Sequence, residues 1–422
     1  MLKFKLFRVY LRTVLYIVIT CLTVVFLLKI WTLNLSDNPY LPKYEPLNYA
    51  NMTMPTIMSL AELKVKWIER KISRLSGGFA GEKVRLDFEP VKQVDSKIHA
   101  FYYSWYRNEK EDGIWKHWFA TDKYPGRPSE FRTAYYPRLG FYSSHNKSVI
   151  DIHMMQMKKA GIGVAIVSWE PHDPKEILMK TILDTADKYT IKIALHWKNT
   201  IEINQIITNL NIFIDTFGQH NALYRIKRAS KDDKFLPVIY IFDPFIEDPI
   251  TWSSYLNPNG NRTIRNSQFD AIFLGLLSSV QNRIDIKQAH FDGFYTYFAT
   301  NGFTYGSSWR NWKTLGQFAD KNGLIFVPCI APGYNDGTLS TYFRPRLNGN
   351  YYEIAWKSAL AAKPSAIAIN SFNSWEEGSQ IEPAVPNTTN VSRFSDYEKV
   401  SDNYYLQFTG FWVKYATENN KF

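Results

Sequence analysis

Hydrophobic and polar residues follow two alternating patterns along most of the chain after about residue 95. Short apolar runs rich in β-branched and aromatic residues are typical of buried strands, and the longer stretches between them have the three- and four-residue spacing of amphipathic helices. The predicted strands are 98–103, 162–169, 191–197, 236–242, 271–276, 291–297, 324–330 and 366–372. The predicted helices are 149–160, 175–189, 204–217, 309–321 and 352–362.

Eight strand-like runs separated by helices predict an α/β fold, a (β/α)8 TIM-type barrel over residues 95–422. Such a barrel is larger than the typical size of ~250 residues, which implies long loops. The alternative is a doubly wound open sheet. No glycine-rich phosphate loop follows the first predicted strand, so the pattern favours the barrel.

The segment before the barrel has a different pattern. Pro39, Pro42, Pro46 and Pro55 are separated by polar residues, as in an extended stem. Apolar residues then recur at helical spacing over 60–75, which predicts an amphipathic helix ended by a Gly-Gly pair. We therefore assign residues 34–94 to a stem that contains one helix.

The amino-terminal end predicts a transmembrane anchor. A basic segment, 1–12, precedes an apolar stretch, 13–33, that has about the ~20 residues needed to cross a bilayer. A cleavable signal peptide and a buried helix are the alternatives. Because no small-x-small cleavage site follows the stretch and its basic flank favours the cytosolic side, we expect a signal anchor with the rest of the chain in the lumen.

Sequons and cysteines agree with that compartment. Six Asn-x-Ser/Thr sequons begin at Asn34, Asn51, Asn146, Asn261, Asn387 and Asn390. The two cysteines are Cys21, within the predicted span, and Cys329. The luminal part therefore has no partner for an internal disulfide and depends on a large hydrophobic core.

The charge distribution narrows the class of partner. The chain has a formal net charge of +11, of which the cytosolic tail supplies four positive charges, and the remainder contains no dense basic run. We therefore expect no nucleic-acid partner. The lipid bilayer is the partner expected from the anchor.

The predicted strands end in residues that commonly bind sugars. Aromatic rings stack on the apolar faces of pyranoses, while polar side chains bind the hydroxyls. For any one aromatic residue, the alternative is a place in the barrel core or rim. The clustering at strand ends, which form the reaction face of a barrel, favours a binding site. The candidate substrate-binding residues are Tyr103, Trp105, Tyr106, His117, Trp118, His196, Tyr295, Tyr297 and Asn301.

Carboxylates are the remaining candidates for catalysis. The histidines have no metal-binding spacing and no Gly-x-Ser-x-Gly motif occurs, so we predict neither a metal nor a cofactor. Glycoside hydrolysis ordinarily uses two carboxylates. Adjacent glutamates in an extended segment point to opposite sides, and an Asp-Gly step such as the one at Asp292 is often only a turn. The candidate acids are Glu376, Glu377, Glu382, Glu170, Asp243 and Asp292.

Several long motifs resemble the glycoprotein endo-α-1,2-mannosidases of glycoside hydrolase family 99. They lie at 101–106, 136–144, 291–302, 332–334 and 371–382. The resemblance implies a (β/α)8 barrel on a single-pass type II Golgi membrane anchor, with Tyr334 as a further substrate contact. It also implies retaining cleavage within glucosylated high-mannose N-glycans, through a 1,2-anhydro sugar, by one glutamate as base and a second as acid. The implied partner is a high-mannose glycan or glycoprotein.

The last motif departs from the family pattern, Phe-Asn-Glu-Trp-His-Glu-Gly. Glu377 matches the acid/base, whereas Ser374 stands at the position of the missing base. Glu376 is the nearest substitute. A family His-Ile-Glu after the third strand is replaced here by a sequence ending in Lys198, a cation that would lower the pKa of Glu377 if the two paired.

Three functional hypotheses follow from this departure. The first is an endo-α-1,2-mannosidase-like hydrolase with reduced turnover, because a serine hydroxyl is too weak a base to replace a carboxylate. The second is a non-catalytic glycan-binding paralogue. The third is a retaining transferase on the same barrel.

Overall fold

The computed structural model describes residues 90–119, 132–168, 175–198, 203–228, 234–337, 341–385, 394–397 and 400–422. The predicted tail, 1–12, the predicted anchor, 13–33, and the predicted stem up to residue 89, with its predicted amphipathic helix, lie outside these residues. Within the described ranges, every helix is too short or too polar to cross a membrane.

Most of the strands form one parallel sheet. Its order is β10-β11-β1-β3-β4-β6-β7-β8-β9, and only Pro328 separates β9 from β10 in the chain. The sheet therefore returns on itself as a nearly closed barrel. It has eight strand positions, because β9 and β10 together occupy one of them. The strands are β1 Asp95–Tyr102, β2 Tyr136–Pro137, β3 Ile162–Ser168, β4 Lys192–Lys198, β5 Arg225–Lys227, β6 Phe235–Phe242, β7 Ile272–Leu276, β8 Gly293–Tyr295, β9 Ile325–Val327, β10 Cys329–Ile330, β11 Ile367–Ile369 and β12 Ala384–Val385.

All eight strand positions of the barrel coincide with the predicted strands, so the barrel prediction is confirmed. The sequence pattern missed two small additions. Strands β2 and β12 pair in a separate antiparallel sheet, and β5 adds to the barrel by pairing antiparallel with β6. These strands are only two or three residues long and, unlike the equally short strands of the barrel, they do not lie within a longer apolar run.

The helices follow the strands in the order expected of a barrel. All five helices predicted within the barrel are present, and among the described residues the sequence pattern missed four others. The helices are α1 Glu109–Asp112, α2 Lys147–Lys159, α3 Lys175–Lys188, α4 Ile203–Phe217, α5 Pro249–Leu256, α6 Asn282–Gln288, α7 Trp309–Asn322, α8 Asn350–Ala361 and α9 Tyr404–Glu418.

Local sequence accounts for where several of these helices begin and end. The Asn146 side chain accepts a hydrogen bond from the Ser148 amide at the start of α2, and Asp248 does the same for Ile250 at the start of α5. Helix α7 ends at Gly323, whose φ of 63° lies in the left-handed region that glycine adopts without strain.

Alternating residues of β1 point into the barrel and fill it with aromatic contacts. The Phe101 ring lies 5.1 Å from the His196 ring and 6.0 Å from the rings of both Tyr240 and Tyr295. One step lower, His99 bonds the Tyr240 hydroxyl at 2.6 Å. Because these side chains pack the interior, the barrel is a solid core that supports its carboxyl-terminal face from below.

The amino-terminal face carries a buried ionic cluster, here called the arginine–aspartate network: Arg228, Arg265, Asp270 and Asp292. Both arginines bridge both aspartates, with N···O distances of 2.7 to 3.2 Å. Burial opposes ionisation of Asp270, but the hydrogen bonds from Arg228 and from the Asn266 amide outweigh it and hold its pKa below its usual range. Asp292 also accepts the amide of Phe273, so this candidate acid joins neighbouring strands.

Candidate active site

The acidic motif after β11 folds back on itself over the mouth of the barrel. The Ser371 amide donates to the Ser379 carbonyl and the Ile381 amide donates to the Ser371 carbonyl, both at 2.9 Å. The Phe372 amide also donates to Phe101 at 2.9 Å, which joins the motif to β1. These bonds hold residues 371–382 as one closed loop at the carboxyl-terminal face.

Asn373 fixes this loop to the end of β1. Its side-chain oxygen accepts the Tyr103 amide and its side-chain nitrogen donates to the Tyr103 carbonyl, both at 2.8 Å. Asn373 is fully buried, so the pair of bonds is protected from water. The sequence analysis did not select Asn373, although its place in the motif was a usable signal.

Glu382 is a structural carboxylate. It is fully buried, and its two oxygens accept from Tyr142 at 2.9 Å and Trp375 at 3.0 Å and contact His153 Nε2 at 3.1 Å. Both oxygens of this buried carboxylate are therefore bonded within the protein. This candidate acid therefore joins the loop to His153 of helix α2 and has a structural role.

Glu377 lies half-buried beside three tyrosines of the mouth. Burial raises the pKa of Tyr297 well above its usual range, and the Glu377 carboxylate adds to this effect. Burial and then Glu377 also raise the pKa of Tyr334, and Glu377 adds to the raised pKa of Tyr103 after burial and Tyr297. The predicted acid/base and three predicted substrate contacts are therefore brought together.

A row of serine hydroxyls leads to the Glu377 carboxylate. The Ser374 amide donates to Ser371 Oγ at 2.6 Å, Ser371 Oγ is 3.3 Å from Ser379 Oγ, and Ser379 Oγ donates to Glu377 Oε2 at 3.3 Å. Ser374 itself is 2% exposed. The backbone of Ser374, at the position predicted for the base, is thus joined to the carboxylate of the predicted acid/base through the hydroxyls of Ser371 and Ser379.

Glu376 points to a different set of partners. Its Oε1 lies 2.8 Å from His117 Nδ1 and 3.3 Å from Arg132 Nη1. The His117 ring stacks on Trp105 at 4.6 Å, and Trp105 stacks on Tyr103 at 4.4 Å. Glu376 is therefore held at the outer end of an aromatic stack, and using it as the base would require breaking its contacts with both His117 and Arg132.

The remaining aromatic residues predicted to contact the substrate lie in two places, next to the acidic loop and in the barrel interior. Tyr106 and Trp118 are fully buried and stack at 4.2 Å, and the Tyr106 hydroxyl bonds the Asn373 carbonyl and the Trp375 amide at 3.0 Å each. His196 and Tyr295 are also buried and contact each other at 3.1 Å. These side chains support the loop and the floor of the mouth, and their role in substrate binding stays a prediction.

Asn301 serves the loop that follows β8. Its side-chain oxygen accepts the Trp309 amide at 3.1 Å and its own amide donates to the Tyr351 hydroxyl at 2.8 Å. Its backbone carbonyl also accepts from Arg344 Nη2 at 3.0 Å, so most of its polar groups are used within the protein, and substrate contact stays a prediction for this residue as well.

Two other candidates lie at strand ends. Asp243 follows β6 at the carboxyl-terminal face, and partial burial raises its pKa above the ordinary value. Lys198 ends β4, and its side chain lies outside what the structure describes. Glu170 lies entirely outside the described residues.

Within the described ranges, no group of three or more His, Cys, Asp or Glu side chains is arranged to hold a metal ion.

Arg346 is a supporting residue that the sequence analysis missed. Its guanidinium lies over the rings of Tyr397 and Tyr405, at 4.5 Å from each, and donates to the carbonyls of Gly378 at 2.9 Å and Gln380 at 2.7 Å. It is 2% exposed. The cation therefore braces the turn that directly follows Glu377, and no local signal around residue 346 indicates this role.

Comparisons with known proteins agree with this geometry. The model of Glycosyl hydrolase family 99 matches residues 93–418. The rat glycoprotein endo-alpha-1,2-mannosidase is 41% identical over 79% of this chain and 78% of its own length. The human glycoprotein endo-alpha-1,2-mannosidase-like protein is 40% identical over 76% of each chain.

A solved structure extends the similarity to the fold. The endo-alpha-mannosidase of the same family from Bacteroides thetaiotaomicron has a TM-score of 0.72 and 33% sequence identity, and the match covers 78% of this chain and all of the bacterial one. Barrel, acidic loop and sequence similarity thus lead to one conclusion: this chain belongs to glycosyl hydrolase family 99 and is a glycosidase of that family.

Proposed function

We propose that this chain cleaves an internal α-1,2-mannosidic bond of glucosylated high-mannose N-glycans, with Glu377 as the acid/base. The observation that carries the proposal is the half-buried Glu377 carboxylate among Tyr103, Tyr297 and Tyr334, whose pKa values it helps to raise. A carboxylate beside aromatic rings at the mouth of a barrel suits protonation of a glycosidic oxygen while the sugar stacks. The names of the mannosidase relatives support the choice of linkage.

The chemistry differs from that of an enzyme with two carboxylates. The 2-hydroxyl of the substrate must lose a proton for the 1,2-anhydro sugar to form. Ser374 is able to accept a hydrogen bond from this hydroxyl but is too weak a base to take its proton, so the proton passes to water. Loss of a general base typically lowers the rate by about 10² to 10⁴, so we expect slow turnover.

Glycan binding without catalysis is the second candidate. What favours it is the position of Glu376, whose carboxylate is bound to His117 and Arg132 and is therefore not poised to replace the base. In this case the aromatic mouth would hold the same glycan, and Glu377 would serve only as a hydrogen-bond acceptor.

One experiment separates the two candidates. The purified full chain is incubated with a glucosylated high-mannose glycan, and the released glucosyl-mannose is measured for the parent, Ser374→Glu and Glu377→Gln. We expect slow release by the parent, release about 10² to 10⁴ times faster by Ser374→Glu, and none by Glu377→Gln.

The outcomes are distinct. Release by Ser374→Glu alone would establish the binding candidate for the natural chain. If Glu377→Gln retains the parent's activity, Glu377 is not the acid/base and the proposed mechanism fails.

The cellular placement rests on the sequence. We propose a single-pass type II protein of the Golgi membrane with its barrel in the lumen, because a basic tail, 1–12, precedes an apolar stretch, 13–33, and a stem with sequons. Protease protection of the barrel in intact Golgi vesicles, and its loss after detergent treatment, would test this orientation.

A further inference from the structure

Two large aromatic side chains are exposed beside the mouth of the barrel. Phe303 is 44% exposed and Tyr342 is 45% exposed. Their rings pack edge to face with centroids 5.0 Å apart, although they come from different loops, after β8 and after β10. Aromatic area left in water forgoes the stabilisation that burial would give, so an exposed pair of this kind indicates a binding surface.

This pair, here called the outer aromatic pair, is continuous with the mouth. The Phe303 ring lies 4.8 Å from Phe298, and Phe298 lies 5.4 Å from Tyr297, which is one of the tyrosines affected by Glu377. An unbroken row of rings therefore leads from the acid/base to the exposed surface.

Hydrogen bonds tie the two loops of the pair together. Thr300 Oγ1 donates to the Tyr342 carbonyl at 2.9 Å, and Arg344 Nη2 donates to the Asn301 carbonyl at 3.0 Å. The pair is thereby held in one arrangement before a ligand arrives, which lowers the entropic cost of binding.

The same frame continues to the acidic loop. The backbones of Arg344 and Tyr334 exchange two hydrogen bonds at 2.9 Å, and the neighbouring Asn335 amide donates to the Glu377 carbonyl at 2.9 Å. The outer aromatic pair is therefore mounted on the backbone that positions the acid/base, and a ligand at one site is in a defined register with the other.

We propose that the outer aromatic pair is a sugar subsite, which binds a hexopyranose of the same glycan beyond the residues at Glu377. The inference rests on the proposed function. The C–H face of a pyranose would stack on Phe303 and Tyr342, while its hydroxyls remain in water. A glycan long enough to reach both places gains affinity from the subsite, and a disaccharide does not.

Binding measurements test the subsite without depending on turnover. The full chain with Glu377→Gln is titrated calorimetrically with a glucosylated high-mannose glycan and with glucosyl-mannose. We expect Phe303→Ala and Tyr342→Ala each to weaken binding of the long glycan by about 3- to 10-fold, the size of one aromatic contact, and to leave the disaccharide unchanged. Tyr342→Phe keeps the ring, so it should bind both ligands like the chain that carries Glu377→Gln alone.

The control is Phe235→Ala. Phe235 is 62% exposed at the start of β6, on the opposite face, so removing its ring tests for a general effect of losing an exposed aromatic. We expect no change in the affinity for either ligand.

Each result decides one question. Unchanged affinity for the long glycan, or equal weakening for both ligands, would overturn the subsite and leave the pair as a surface for another protein. A parent chain that binds the glycan with the expected subsite pattern but never cleaves it would refute the proposed hydrolysis alone. A parent chain that binds neither ligand would refute both.

Discussion

Both ends of the barrel contain acidic side chains, but the burial and the partners of these side chains differ between the two ends. At the amino-terminal face, Asp270 and Asp292 are buried and bridged by two arginines. At the carboxyl-terminal face, Glu377 is half-buried among tyrosine and serine hydroxyls. A buried acid that is bridged by cations stabilises the fold, whereas a half-buried acid beside the tyrosines of the mouth lies where a substrate would bind, which supports the role proposed for Glu377.

Glu382 and Glu376 refine this contrast, because both belong to the same loop as Glu377. Glu382 is fully buried with three side-chain partners, and Glu376 is bound to His117 and Arg132. Proximity in sequence thus does not make an acid catalytic. The partners that the tertiary structure brings to it decide its role.

The sharpest test of the contrast is the substitution Glu377→Gln. We expect glycan cleavage to fall by about 10² to 10⁴, which takes an already slow parent below detection, because the amide cannot donate the proton that a carboxylic acid supplies. The midpoint of thermal unfolding should stay within a few degrees of the parent, since the acid serves chemistry rather than packing. A large loss of stability with retained cleavage would reverse the assigned roles of the two faces.

The substitution Asp270→Asn should have the opposite effects. It leaves Arg228 and Arg265 partly uncompensated in a buried site, so we expect the free energy of unfolding to fall by about 3–5 kcal/mol in denaturant titrations. Cleavage per folded molecule should be unchanged.

Asp184→Asn is the matched control for that measurement. Asp184 pairs with Lys180 on the surface and its side chain is 52% exposed, so the expected loss is below about 1 kcal/mol. Equal losses in the two variants would mean that burial of the arginine–aspartate network contributes nothing.

Acid should destabilise the barrel through His99, which lies deep in its interior. Burial lowers the pKa of His99 to about 4 from its ordinary value of 6.5. Between pH 6.5 and 4 the unfolded chain binds a proton that the folded chain does not, so stability falls with decreasing pH, by roughly 3 kcal/mol in all. Denaturant titrations at several pH values should give a shallower pH dependence for His99→Gln than for the parent.

The smallest effect is expected for Glu376→Gln. The contacts with His117 and Arg132 are partly exposed, so their loss should change stability by less than about 1 kcal/mol and the cleavage rate by less than about threefold. Initial rates with the glycan would measure this. A loss of 10²-fold or more would instead identify Glu376 as the missing base.

The sequence pattern predicted the fold well because its signals are local. Every strand of the barrel and five helices were found from apolar runs and helical periodicity. The barrel strands lie in apolar runs of six to eight residues, even where the observed strand, as in β8 to β11, has only two or three. Helix α9 was missed because aromatic and apolar residues cover much of its length, which leaves a weak periodicity. The strands β2, β5 and β12 are as short as β8 to β11 but lie outside any long apolar run, so no pattern marks them.

The candidate site was predicted only in part, for a physical reason. Glu377, Ser374 and the tyrosines of the mouth lie in motifs and at strand ends, where sequence signals are strong. The contact of Glu376 with His117 joins residues 259 positions apart, and that of Glu382 with Tyr142 joins residues 240 apart. Arg346 braces its loop through contacts with three other segments. No local pattern encodes which distant segment packs against which.

By itself, the sequence determined the parallel barrel, the acidic loop at its carboxyl-terminal face and the absence of a carboxylate at position 374. Only the tertiary structure decided that distant partners hold Glu376 and Glu382 while Glu377 borders the tyrosines of the mouth, and which exposed rings continue that mouth. The covalent order of residues sets the local conformation and the inventory of side chains. The burial and the partners of each carboxylate, which set its protonation and reach, arise only when distant segments pack together.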